Sequence, residues 1–191
     1  MIENDDQLRA VVEAANDNLQ AIQLYLNQKN HPDGKIRFPR GFLRTATQYR
    51  SRLGFIKSDT LKTNLSYTLI LSDVLRWLLN RTDLAGTAKE MVIKNAIILR
   101  ASICESMAIH GTKGTIGKKH SFCERTNRMA AKGIVTSDLC DELHWLWEKR
   151  TGIHIYELDH QEYEKYEIAD YNRAVSVTKD LRDALEEYHR S

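Results

Sequence analysis

The sequence predicts an all-α protein, an antiparallel helical bundle with a helical extension at its N-terminus. Three observations carry that expectation. Apolar residues recur at steps of three and four almost throughout the chain. Only 2 prolines and 9 glycines occur among 191 residues, too few for a turn-dense β protein or a disordered chain. Helix-start signals of the Ser/Thr-x-x-Glu type stand before two of the apolar runs. With 42% hydrophobic and 28% charged residues, the chain has the composition of a globular domain able to bury a core.

The elements follow in order. Leu8, Val11, Val12, Ala15, Leu19, Ile22 and Leu26 form one stripe on a long first helix. Residues 31–41 contain both prolines and two glycines, a loop with a short extended piece at 35–38. A short helix is expected over 42–53, stopped at Gly54, and a strongly apolar one over 60–80. Thr87 with Glu90, and Gly111, bracket a helix at 88–110. Ser121 with Glu124 opens another that stops at Gly133. The next starts near Thr136–Asp138 and carries Leu139, Leu143, Leu146 and Trp147 on one face. The last, over 162–188, presents Tyr171, Ala174, Leu181, Leu185 and Tyr188. No strand, internal repeat or low-complexity stretch is evident. The expectation is one helical domain, with residues 1–58 an extension and 59–191 the bundle.

Several classes fall away. No stretch approaches the 18 or so apolar residues of a membrane span, because Lys94, Arg100 and Glu105 interrupt the most apolar segment. The N-terminus lacks the basic and apolar regions of a secretory signal. Three widely spaced cysteines make neither a disulfide framework nor a zinc motif, and the expected compartment is the cytoplasm. Cys104, Cys123 and Cys140 read as buried structural thiols. No metal site and no cofactor is expected, since the seven histidines form no ligand pattern. The loop at 110–120, HGTKGTIGKKH, is not a Walker loop: its glycine spacing is wrong, Lys119 stands where Ser or Thr belongs, and a helix precedes it.

The net charge of +2 hides an asymmetry. Residues 31–137 hold nineteen bases against seven acids, whereas 138–191 hold fourteen acids against seven bases. From Lys35 to Lys57 there are seven bases and no acid. Lys35, Arg37, Arg40, Arg44, Arg50 and Arg52 are therefore candidates for holding a polyanion, with RNA the expected partner. The same run suits docking onto the acidic C-terminal third.

The most informative stretch is residues 139–184, where an amphipathic helix leads into Arg150-Thr151-Gly152-Ile153-His154-Ile155-Tyr156 and an acidic linker before a second amphipathic helix. If the helix continues through Gly152, Arg150 and His154 share one face. On a phosphodiester the two are complementary: an imidazole moves protons near neutral pH, and a guanidinium grips phosphate oxygens by parallel hydrogen bonds. This pattern resembles the HEPN superfamily of helical nuclease, toxin and antiphage-defence domains, over roughly residues 60–190. The family's hallmark is an arginine, a small polar residue and then a histidine at a helix end facing a partner subunit. Arg150, Thr151 and His154 match those positions, with a shorter Arg-to-His spacing than the family norm and Thr in place of the commoner Asn or Asp.

The resemblance implies a metal-independent endoribonuclease that cleaves single-stranded RNA at a homodimer interface. It casts Arg150, His154 and an acidic residue of a central helix, Glu105, as the catalytic group. The His154-Ile155-Tyr156 continuation is similar to HEPN toxins paired with a nucleotidyltransferase antitoxin, which implies Tyr156 as an adenylylation site. Other readings stay open. The chain also suits a non-catalytic HEPN-like module binding RNA, a nucleotide or a protein. Glu105 either lines a polar site, with Asn95, Ser102 and Ser106, or marks the solvent edge of its helix. Tyr156 also suits plain packing against the bundle.

Overall fold

Several helix starts in this protein are set by short polar side chains that satisfy the first free backbone N–H groups. The computed structural model describes residues 1–39, 41–117, 119–151 and 165–190, and divides into two units, Met1–Arg40 and Gly41–Ser191. In the first unit, α1 (Asp5–Leu26) begins where the Asn4 side chain accepts from the Gln7 N–H at 2.9 Å. Asp5 and Asp6 in its first turn suit the positive end of the helix dipole. A short 3-10 turn, Pro32–Gly34, brings Gly34 against Leu26, where a Cβ would lie 2.6 Å from Leu26 Cδ1. Leu26 is the half-buried member of the predicted stripe, and the others are exposed.

The second unit is an all-helical bundle, as the periodicity predicts. Its elements are α2 (Ala46–Arg50), α3 (Asp59–Arg81), α4 (Gly86–Gly111), α5 (Phe122–Ala131), α6 (Ser137–Thr151) and α7 (Ile168–Tyr188). The central element is α4, which packs on α3, α5, α6 and α7. Ile93, Ala96, Ile97, Ala101, Ile103, Cys104, Met107 and Ala108 are all buried and fan out over about 160° of its circumference. An apolar face this wide must be covered by more than one neighbour. Leu143 and Leu146 of α6, and Leu181 and Leu185 of α7, are fully enclosed in the same core.

The predicted Ser121–Glu124 capping box forms: Glu124 N–H donates to Ser121 Oγ at 3.3 Å, and Ser121 N–H to the Glu124 carboxylate at 2.8 Å. Gly133, at φ 69°, then lets the chain leave the helix. The predicted box at Thr87 does not form. Gly86 already belongs to α4, so Thr87 lies inside the helix and has no free N–H to cap. Glu90 instead accepts the Lys165 N–H at 3.4 Å. The short helix expected over 42–53 is only five residues long, because Thr45 and Gln48 form a capping box that starts it late. The chain after it turns inward, burying Leu53, Phe55 and Ile56 in the core.

A close approach joins α4 to α7. Gly111 ends α4 directly against Leu185, and a Cβ there would meet Leu185 Cδ2 at 2.8 Å. His189 Nε2 lies 2.7 Å from the Gly111 carbonyl oxygen, and its ring stacks on Phe55. Since Leu185 is fully buried, it has no free space to yield. Gly111→Ala is therefore expected to cost about 1–3 kcal/mol in urea unfolding. Combined with Leu185→Ala, the double variant should lose less than the two single losses added together.

Candidate functional site

Arg150 stands in the last turn of α6, where its charge suits the negative end of the helix dipole. Its guanidinium lies over the Trp147 ring, 4.4 Å from the centroid, and the Trp147 ring stacks on Phe122 of α5 at 4.7 Å. From that perch Arg150 Nη2 reaches Glu105 of α4 at 3.4 Å. Both side chains keep about a third of their surface in solvent, 29% and 33%. Two of the three residues expected to do chemistry are thus brought together from separate helices. Asn95, by contrast, is exposed and bonds its own helix at the Met91 carbonyl. His154 and Tyr156 lie outside the described residues, and so does Arg40.

The end of α6 is held by flanking charges. Arg173 of α7 grips Glu142 through two hydrogen bonds of 2.6 and 2.9 Å and lies over Trp145. That fork holds the Glu142 carboxyl below its ordinary range and raises the Arg173 guanidinium. Lys149, next to Arg150, pairs with Asp170 at 3.3 Å, and Asp170 also accepts the Glu167 N–H at the start of α7. The helix that carries Arg150 is consequently fixed to α7 as well as to α4.

The expected nucleic-acid residues separate into groups. Lys35 and Arg37 are exposed in the first unit. Arg50 turns to α3, reaching Thr63 at 3.2 Å and Asp59 at 3.6 Å. Arg44 is committed to Asp73 of α3, which takes its backbone N–H at 3.0 Å and its guanidinium at 3.1 Å. Arg76 joins the same carboxylate at 3.2 Å and lies over Phe42. Burial, followed by a hydrogen bond to Asp73 and its charge, pushes the Tyr49 phenol far up. Asp73 itself is only 1% exposed. No spacing signal in the sequence marks it, because its partners stand far away in the chain or look like ordinary surface bases.

Arg125, placed near the basic loop at 110–120, is a structural anchor rather than a free cation. Only 2% exposed, it donates to Thr112 Oγ1 and to the Gly117 carbonyl, both at 2.9 Å. The cysteines match the expectation of buried, unreactive thiols at two positions. Cys104 is enclosed beside Thr178, and burial pushes its thiol up to about 12. Cys140 lies 3.7 Å from His144 Nε2, an i,i+4 pair that resembles a nucleophile and base, but burial pushes its thiol up as well. Cys123 is less enclosed. Among the described residues, no three His, Cys, Asp or Glu side chains are grouped to hold a metal ion, and no helix is long and apolar enough to cross a membrane.

No family model, curated protein or solved structure compared with the chain matches it.

Two expectations follow from this geometry. Asp73→Ala leaves two part-buried guanidinium groups without their carboxylate and should cost on the order of 3 kcal/mol in chemical denaturation. In thiol labelling of the native protein at pH 8, Cys104 should stay unmodified until the chain unfolds, because almost no thiolate exists at that pH.

Proposed function

We propose that this protein is an HEPN-like, metal-independent endoribonuclease acting on single-stranded RNA as a homodimer. The observation that supports the reading is the meeting of Arg150 and Glu105, held 3.4 Å apart and part-exposed at the end of α6. An arginine of this kind has fixed direction: Trp147 supports one side of its plane and Glu105 orients one nitrogen, leaving further N–H groups for a phosphate.

In the proposed reaction the substrate's 2′-oxygen forms a bond to the adjacent phosphorus while the bond from phosphorus to the 5′-oxygen breaks. His154 of one chain takes the proton of the 2′-hydroxyl, and the protonated His154 of the second chain supplies a proton to the leaving 5′-oxygen. Arg150 neutralises charge developing on the non-bridging oxygens, and Glu105 positions Arg150. One histidine per chain serves one proton transfer, which is the chemical reason for two chains. Tyr156, two residues beyond His154, is on this reading the acceptor of an inhibitory AMP group: a nucleotidyltransferase joins its deprotonated phenol oxygen to the α-phosphorus of ATP as pyrophosphate leaves, and the added negative charge repels RNA.

Purified protein is expected to cleave single-stranded RNA in excess EDTA and to leave 2′,3′-cyclic phosphate ends. Arg150→Ala and His154→Ala should each lower the rate at least about a hundredfold, with the helical circular dichroism unchanged. Glu105→Gln should lower it less and alter its pH profile. If RNA binds but no end groups appear, the chain is a binding module of this fold. Cleavage that requires a divalent ion overturns the mechanism.

A further inference from the structure

A second charged cluster lies on the other side of α4. On a helix turning about 100° per residue, Arg100, Ile103 and Met107 fall within an arc of about 60°, and Glu105 points roughly opposite to them. These three residues face a pocket of about 180 Å³ between α2, α3, α4 and α7. Six cationic side chains line it: Arg44, Arg52, Arg76, Arg100, Lys179 and Arg182.

The protein does not balance this charge internally. Arg44 and Arg76 share the single carboxylate of Asp73. Lys179 and Arg182 share Asp183, with Asp180 a further 3.9 Å partner of Lys179 alone. Among the described residues, Arg52 and Arg100 pair with no carboxylate. Arg100 is the decisive one. Its Nε is shut off from solvent with no hydrogen-bond partner, and the neutral hydroxyl of Tyr171, a residue only 3% exposed, lies beside the guanidinium. Burial pushes the Arg100 guanidinium below its ordinary range. Holding a half-buried guanidinium with a shut-off Nε and no carboxylate is costly, and a folded chain that tolerates it gains energy back when an anion arrives.

We propose that this pocket binds the phosphoryl group of a phosphomonoester, with Arg100 as its principal ligand. A dianion with three terminal oxygens matches guanidinium groups converging from several helices, each able to donate two parallel hydrogen bonds. A carboxylate offers only two oxygens and one charge. The pocket's volume admits the phosphoryl group and the atoms next to it, and Leu53, Leu69 and Val175 give those atoms an apolar wall. The phosphomonoester belongs either to a free small molecule or to the end of an RNA strand, and the chemistry at Arg100 is the same for both. No lining residue is shared with the Arg150–Glu105 pair, so the site does not depend on ribonuclease activity.

Isothermal titration of the full chain with AMP, inorganic phosphate, adenosine, and a short RNA with or without a 5′-phosphate, all at one ionic strength, tests the proposal. AMP or the 5′-phosphorylated RNA should bind, adenosine and the 5′-hydroxyl RNA should bind at least tenfold more weakly at this site, and the preferred probe identifies the source. Arg100→Gln should weaken the preferred probe at least tenfold, whereas Arg100→Lys should weaken it less. Arg150→Ala should leave that affinity unchanged, and Arg100→Gln should leave cleavage of an RNA that carries no terminal phosphate unchanged, so the two sites fail separately. Folding gives an independent readout: Arg100→Met should hold or raise the melting temperature without ligand and abolish the rise caused by the preferred probe. Equal binding of phosphorylated and unphosphorylated probes, an unchanged affinity in Arg100→Gln, or a sharp fall of melting temperature in Arg100→Met each overturns the assignment.

Discussion

The bundle depends on the burial of α4. With buried apolar residues over so wide an arc, this helix is covered by α3, α5, α6 and α7 together, and their arrangement follows from that demand. A helix in this position makes each of its few charges conspicuous, because every one needs a partner delivered by a neighbour. Three of them show the range of answers. Lys94 is 7% exposed and lies near the Tyr166 ring, 6.0 Å from its centroid. Glu105 receives Arg150 from α6. Among the described residues no carboxylate pairs with Arg100, although five other cations share its pocket. The first is a matter of packing, the second gives the proposed ribonuclease its geometry, and the third leaves a demand for an anion from outside the chain.

In the second unit, helix existence and the buried faces were legible in the sequence because the apolar spacing is dictated by the same core that the structure displays. The stripe Leu139, Leu143, Leu146 and Trp147 packs with the core as its period requires. Local signals fared unevenly. Ser121 and Glu124 cap α5 because the chain before them leaves those N–H groups free. Thr87 and Glu90 have the same spacing, yet helical backbone extends past Thr87 and Glu90 bonds a distant N–H instead. Spacing alone does not say whether a helix has already begun.

For the candidate site, the sequence singled out Arg150 and Glu105, and the structure brings the two within 3.4 Å of each other. Asp73 and Arg100 were not legible. A charge count treats the acid-free run from Lys35 to Lys57 as one basic surface, but folding divides it: Arg44 and Arg50 turn to carboxylates of α3, while Arg52 faces a pocket. Which cations are satisfied inside the molecule depends on contacts such as Arg44 with Asp73, between segments that no local pattern connects. The same holds for Arg125, whose neighbours in sequence are basic but whose hydrogen bonds go to Thr112 and Gly117.

The close seating of Leu185 on Gly111 also bears on synthesis. α7 covers one side of α4 with Tyr171, Ala174, Val177, Leu181 and Leu185, and these residues emerge from the ribosome long after α4 itself. Until then the side of the central helix that α7 covers lacks that cover. Such a nascent chain is prone to aggregate with its neighbours and is a natural client for a chaperone that masks apolar surface. Completion of the core is therefore a late event in translation, and truncation anywhere before Leu185 leaves that cover incomplete.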